Sequence, residues 1–162
     1  MKTKDKSQLL TASRTLEIRF SEVDSMNIAW HGSYAHYLED ARRAFGEKYG
    51  IDHATIAANG YQAPLVELNI RYKKPILFGM KPRIDIWYRP TLSARLTYDY
   101  EIRDTADGSL LTTAHSVQVF TDLNHKLAWN NPPFFEAWKR RWGITELRNN
   151  GITDSWNNGL TE

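Results

Sequence analysis

The stretch SYAHYLEDARRAFGEKYG, residues 33–50, limits the possible folds more than any other. Tyr34, Tyr37, Leu38, Ala41, Phe45 and Tyr49 recur at three- and four-residue spacing, which predicts a long helix with one buried face. Glu39, Asp40, Arg43, Glu47 and Lys48 mostly occupy the other side, with Glu39 and Arg43 spaced for an i,i+4 ion pair. The helix is expected to begin near Ala35 with Ser33 as its N-cap. Gly50 should end it in the left-handed conformation. A helix of this kind needs a broad apolar surface to lie on.

The rest of the chain supplies that surface. A first strand is expected at about Thr15–Phe20, where Leu16, Ile18 and Phe20 alternate with Thr15, Glu17 and Arg19. After the helix and a connector over 51–62, further strands are expected at Ala63–Pro75, Arg83–Pro90, Ala94–Arg103 and Leu110–Thr121, with a short one at Lys126–Trp129. Ile84, Ile86 and Tyr88 alternate, as do Leu96, Tyr98, Tyr100 and Ile102, and then His115, Val117 and Val119. Thr105–Gly108 and Asp122–His125 are turn-rich connections and predict antiparallel hairpins. One helix followed by an antiparallel sheet able to wrap it is an α+β arrangement.

With 162 residues the chain makes one domain with a real core. A net charge of +2 gives no general attraction to nucleic acid or to an anionic membrane. The absence of cysteine removes disulfides, thiolate metal sites and cysteine nucleophiles. Met1–Arg14 is polar and lacks the apolar run of a signal peptide, and no run approaches the roughly 18–20 apolar residues of a membrane span. A cytoplasmic location is expected. No P-loop, GxGxxG, HExxH, GxSxG or kinase-like motif occurs. No metal site is expected at His36 or His53.

Chemistry concentrates in the loop between the first strand and the helix. Asp24 falls close to the helix N-terminus, where unpaired N–H groups and the positive end of the dipole favour negative charge. Such a site can hold a carboxylate ionised and donate hydrogen bonds to a carbonyl oxygen, as acyl transfer or hydrolysis requires. A turn residue making an Asx-type hydrogen bond is the other reading of Asp24. His31 stands at the helix entrance, as a solvent-facing side chain or as one that orients Asp24. Gly32 permits close backbone approach by a ligand, or is simply a loop glycine. Trp30, Tyr34 and Tyr37 read as core aromatics or as the lining of a pocket.

The pattern Asp24–x–x–Asn27–x–x–Trp30–His31–x–x–Tyr34, with Glu39 and Arg42 on the following helix, resembles the hotdog-fold acyl-CoA thioesterases. The closest branch is that of 4-hydroxybenzoyl-CoA thioesterase and the Tol–Pal-associated thioesterases. Similarity in element order runs to about residue 142. The resemblance implies an antiparallel sheet wrapped around one long central helix, forming a domain over 14–142 with a loose arm at 1–13 and a polar tail at 143–162. It further implies hydrolysis of an acyl- or aroyl-CoA to free acid and CoA without metal or organic cofactor. Asp24 would act as nucleophile or general base, and the backbone N–H of His31 would polarise the thioester oxygen. Glu39 is a reserve carboxylate, because another branch uses an acid on this helix; its plain reading is a solvated partner of Arg43. Asn27 departs from the usual glycine, yet asparagine tolerates positive φ.

Trp30, Gly32, Tyr34, Arg71, Lys73 and Lys74 are candidates for substrate binding. Arg71, Lys73 and Lys74, with Arg83, Arg89 and Arg95 nearby, could meet the phosphates of CoA or an acidic acyl carrier protein; an ordinary charged rim is the alternative. His115 reads as a core histidine, and Lys139–Arg140–Arg141 on a last helix, Phe134–Trp142, as a solvated face. A homodimer or a dimer of dimers is implied by resemblance and by unpaired sheet edges. Two rival functions are an acyl-ACP thioesterase and a non-catalytic acyl-thioester binding protein. The echo Gly143-Ile-Thr-Glu, Gly151-Ile-Thr-Asp, Gly159-Leu-Thr-Glu is too short and polar for a repeat fold and reads as a mobile tail, with a tail docked through Trp156 as the alternative.

Overall fold

The sheet order is set by which apolar rows can face the long helix. In the computed structural model, residues 6–144 are described; residues 1–5 of the expected arm and the tail from 145 onward lie outside them. The elements are β1 (Thr11–Thr15), α1 (Ser33–Tyr49), α2 (His53–Ala58), β2 (Tyr61–Gln62), β3 (Leu65–Tyr72), β4 (Arg83–Tyr88), β5 (Arg95–Arg103), β6 (Leu110–Val119), β7 (Thr121–Asp122) and α3 (Pro133–Arg141). Five strands form one antiparallel sheet in the order β1-β4-β5-β6-β3, and β2 pairs with β7. This is the α+β hotdog arrangement expected from the sequence. Among the described residues no helix is long and apolar enough to cross a membrane.

Cross-strand register builds the core. Ile84 faces Ile102, Ile86 faces Tyr100 and Tyr88 faces Tyr98, and all six are buried. Onto this row α1 lays Tyr34, Tyr37, Leu38, Ala41, Phe45 and Tyr49. Gly50 ends α1 at φ 70°, ψ 40°, with its N–H on the Gly46 carbonyl. Gly46 itself lies against the chain, since a Cβ there would sit 2.7 Å from Asp52 Cα. The Tyr49 carbonyl, one of the unpaired acceptors of a helix end, takes the indole N–H groups of Trp138 (2.9 Å) and Trp142 (3.1 Å). That ties α3 across the C-terminal end of α1.

Several local expectations need correction. The first strand forms at Thr11–Thr15 rather than Thr15–Phe20, paired with β4. Leu16 and Ile18 are buried beyond its end, but Phe20 is 79% exposed, because there the chain turns away into a 3-10 turn at Phe20–Glu22. Ser33 is the first helical residue and Gly32 the cap; the Ser33 hydroxyl donates to the Glu22 carbonyl instead of capping. Glu39 pairs with Arg42, and Arg43 with Glu47. At Lys126–Trp129 only a Thr121–Leu127 bridge forms, because Asp122 Oδ1 gathers the Asn124 and Lys126 N–H groups into a tight turn. Lys139 is not solvated: it is 5% exposed, with its ammonium on the Thr91 carbonyl and over the Phe135 ring.

His115 is also misplaced by the sequence pattern. It lies opposite Asp99 on the outer face of the sheet, with Nδ1 2.7 Å from Asp99 Oδ1, while Arg89 holds the other carboxylate oxygen. Hydrogen bonding to Asp99 raises the His115 pKa against the opposing effect of burial; Glu67 adds to the rise and Arg89 opposes it. A group whose folded pKa is raised stabilises fully below its unfolded value, about 6.5, and loses that contribution as pH climbs through the folded value. The wild type should therefore lose stability relative to His115→Gln between about pH 6 and pH 8. Urea midpoints at the two pH values measure this; an equal offset at both would mean that the pair carries no proton linkage.

Candidate active site

The loop over 21–32 is folded by its own backbone. Asp24 N–H donates to the Ile28 carbonyl (2.9 Å) and Asn27 N–H to the Asp24 carbonyl (3.0 Å). Asn27 takes φ 61°, so asparagine keeps the turn where the related motif has glycine. Asp24 Oδ1 accepts from Met26 N–H (2.8 Å) and Ile28 N–H (3.3 Å), and Oδ2 has no protein donor among the described residues. Asp24 is thus a turn residue and a carboxylate with one oxygen to spare.

Neighbouring segments hold the loop from both sides. Ala29 N–H reaches the Ile76 carbonyl (2.7 Å), Phe78 N–H the Asn27 carbonyl (3.2 Å) and Trp30 N–H the Glu22 carbonyl (2.7 Å). At the helix entrance Ser33 N–H donates back to the Trp30 carbonyl (2.8 Å). The N–H of His31, between those two, meets no acceptor among the described residues. The peptide after it is fixed, because the Tyr72 hydroxyl donates to the His31 carbonyl (3.1 Å). Tyr72 in turn packs edge-on against Tyr34, ring centroids 4.7 Å apart. Burial raises the pKa of the Tyr34 hydroxyl, which stays protonated at neutral pH.

An open cleft of about 340 Å³ is lined by Asp24, Ile28, Ala29, His31, Tyr34, Tyr72, Lys73, Lys74 and Pro75. Five sequence candidates meet there: Asp24, His31, Tyr34, Lys73 and Lys74. The others stand apart from it. Trp30 is exposed and lies over Gly32, where a Cβ would come within 2.1 Å of the Trp30 ring; the glycine makes room for that ring. Arg71 falls on the face of β3 opposite Tyr72. Glu39 is outside the cleft lining and clamps Arg42, which reaches the Tyr100 hydroxyl. Arg83 and Arg89 are taken up by Asp85 and Asp99 on the outer sheet face. Tyr72 escaped the sequence reading, although strand alternation from Leu68 and Ile70 puts it on the α1 side.

Residues 18–139 match the model of the family described as the thioesterase-like superfamily. The chain is 29% identical over 111 residues to a Bacillus subtilis protein named, provisionally, the acyl-CoA thioesterase YneP, covering 68% of this chain and 80% of that one. It is 24% identical over 111 residues to the acyl-acyl carrier protein thioesterase ATL3 of Arabidopsis thaliana, covering 68% of this chain and 58% of that one. A solved DHNA-CoA thioesterase from Staphylococcus aureus superposes with a TM-score of 0.75 at 27% identity, over 88% of this chain and 96% of that one. Since the matched span holds the Asp24 loop, all of α1 and every strand except β1, the chain belongs to the thioesterase-like superfamily of hotdog-fold thioester hydrolases.

Proposed function

We propose that this chain hydrolyses an acyl- or aroyl-CoA thioester to the free acid and CoA, with Asp24 as the reacting carboxylate and the His31 N–H as donor to the thioester oxygen. The observation that carries this reading is that Asp24 and His31 line one cleft, and that among the described residues Asp24 Oδ2 and the His31 N–H have no protein partner. As water or carboxylate attacks the carbonyl carbon, charge develops on its oxygen. A fixed N–H is worth most at that moment. With water as nucleophile, Asp24 takes its proton and passes it to the sulfur as the C–S bond breaks, giving free acid and the CoA thiol. With Asp24 as nucleophile, C–S cleavage leaves the acyl group on Asp24 as an anhydride, which water then hydrolyses to the free acid while the CoA thiolate takes up a proton from solvent. Lys73 and Lys74 at the cleft edge supply charge for phosphate groups. The motif around Asp24 favours the 4-hydroxybenzoyl-CoA and Tol–Pal-associated branch, and the likeness to a DHNA-CoA thioesterase supports including aroyl esters among the substrates tested.

A homodimer belongs to this proposal. β3 is an edge strand of the sheet, and Leu65, Val66, Leu68 and Tyr72 on it are exposed. An apolar edge with open ladder groups is stabilised by pairing with a second copy. The cleft lies at the end of that strand, so pairing would bring the partner close to it.

Thiol release from a panel of acyl- and aroyl-CoA esters, with the same acyl groups on acyl carrier protein, tests the function. Turnover of CoA esters supports it. Turnover confined to the carrier-bound esters would move the substrate class to acyl-ACP, and binding without release would mark an acyl-thioester binding protein.

A further inference from the structure

Glu22 is the point at which the Asp24 loop and α1 are fastened together. Its main-chain carbonyl accepts from Trp30 N–H (2.7 Å) and from the Ser33 hydroxyl (3.0 Å). Its carboxylate Oε2 accepts from Arg19 N–H (2.9 Å) and from the Tyr37 hydroxyl (3.1 Å). Tyr37 is 2% exposed and sits one turn along the buried face of α1 from Tyr34. Glu22 is absent from the cleft lining, so it does not meet substrate there.

The electrostatics of this residue are unusual for a stabilising contact. Among the described residues no lysine, arginine or histidine pairs with Glu22, and its donors are a neutral hydroxyl and a peptide N–H. A half-buried carboxylate without a counter-ion gives up hydration for little Coulomb return. What it gains is direction, because a loop N–H and a helix hydroxyl converge on one carboxylate oxygen. The two groups of the proposed chemistry lie on either side of this fastening. Asp24 is two residues beyond Glu22, and His31 lies between Trp30 and Ser33, both held by the Glu22 carbonyl. Loss of the carboxylate keeps the two carbonyl bonds and removes the tie to Tyr37, so the start of the loop, with Asp24, loses its bond to the body of α1 and the helix entrance is held by the carbonyl bonds alone.

We infer that Glu22 is a positioning residue for thioester hydrolysis: its bond to Tyr37 sets the distance between the Asp24 carboxylate and the His31 N–H. The inference rests on the assignment of Asp24 and His31 proposed above. Misplacing reacting groups by about 1 Å can cost on the order of 10²-fold in rate. Binding contacts such as Lys73 and Lys74 stay in place, so the loss falls on kcat and not on KM.

The test compares wild type, Glu22→Ala, Glu22→Gln, Tyr37→Phe and the Glu22→Ala/Tyr37→Phe double variant in thiol release, each with its melting temperature. Glu22→Ala is expected to lower kcat roughly 10- to 100-fold with KM within about threefold. Glu22→Gln, which keeps an acceptor oxygen, should recover most of the loss. The double variant should be no slower than Glu22→Ala, because both changes break one interaction. Should Glu22→Ala fail to fold, Tyr37→Phe still decides, since it deletes one hydroxyl from a ring that keeps its packing; wild-type kcat in that variant overturns the inference. A rise in KM at unchanged kcat overturns it too. If the wild type releases no thiol from any ester, the Asp24 assignment fails first. The fastening is then read by amide hydrogen exchange at Trp30 and Ser33: faster exchange in Tyr37→Phe at an unchanged melting temperature supports it, and unchanged exchange overturns it.

Discussion

Asp24→Asn should lower kcat for thiol release by about 10²- to 10⁴-fold, the span expected when a general base is removed, while the fold stays intact. The geometry makes the substitution a clean one. The amide oxygen of asparagine can take the place of Oδ1 and accept from Met26 and Ile28 N–H, so the turn keeps its bonds. The amide nitrogen replaces Oδ2, the oxygen that no protein donor occupies among the described residues, and it can neither attack a carbonyl nor take a proton from water. A melting temperature matching the wild type, with KM little changed, would place the loss in the chemical step. The chain contains no cysteine, so a thiol-reactive dye reports released CoA without background from the protein. Activity that survives in Asp24→Asn and vanishes in Glu39→Gln would move the chemistry onto α1.

Phe45→Ala should cost about 3–5 kcal/mol of stability, the range for deleting a fully buried aromatic ring. Phe45 is 0% exposed and joins α1 to the sheet through three rings. Its centroid lies 4.6 Å from that of Tyr49, 5.1 Å from Tyr98 and 6.3 Å from Tyr88. Tyr98 and Tyr88 are held opposite each other on β5 and β4, so the sheet cannot close over the lost volume without breaking register. The melting temperature should fall by roughly 10 °C, with the urea midpoint falling in step and the m-value unchanged. A loss below about 1 kcal/mol would mean that the helix is held on the sheet by other contacts.

How far the chain could be read in advance follows from the range of the forces involved. The buried face of α1, the left-handed Gly50 and the positive φ of Asn27 were legible because each depends on residues a few positions apart. The alternating rows of β4 and β5 were legible for the same reason. Alternation could not say where a strand stops. Leu16 and Ile18 keep the pattern and are buried, yet the ladder ends at Thr15 because the next partner is Pro82, whose carbonyl accepts from Leu16 N–H (2.8 Å) but which has no N–H to return. Nor could periodicity tell the two faces of β6 apart, and His115 faces outward to Asp99 because β5 places a carboxylate opposite it.

At the site the division is the same. The sequence by itself determined the fold class, the long helix and the loop that carries Asp24 to the N-terminal end of that helix. It did so because hydrophobic period, turn chemistry and helix-end polarity are local properties. Only the tertiary structure decided which side chains share the cleft. Tyr72 reaches the His31 carbonyl across 41 residues of chain. Glu22 meets Tyr37 because the loop folds back on α1. Lys73 and Lys74 stand near Asp24, while Arg71 is turned to the other face of β3 and Arg83 and Arg89 are occupied by carboxylates on the far side of the sheet. Contacts of this kind depend on how a strand and a loop approach in space, and residue spacing along the chain carries no record of that distance.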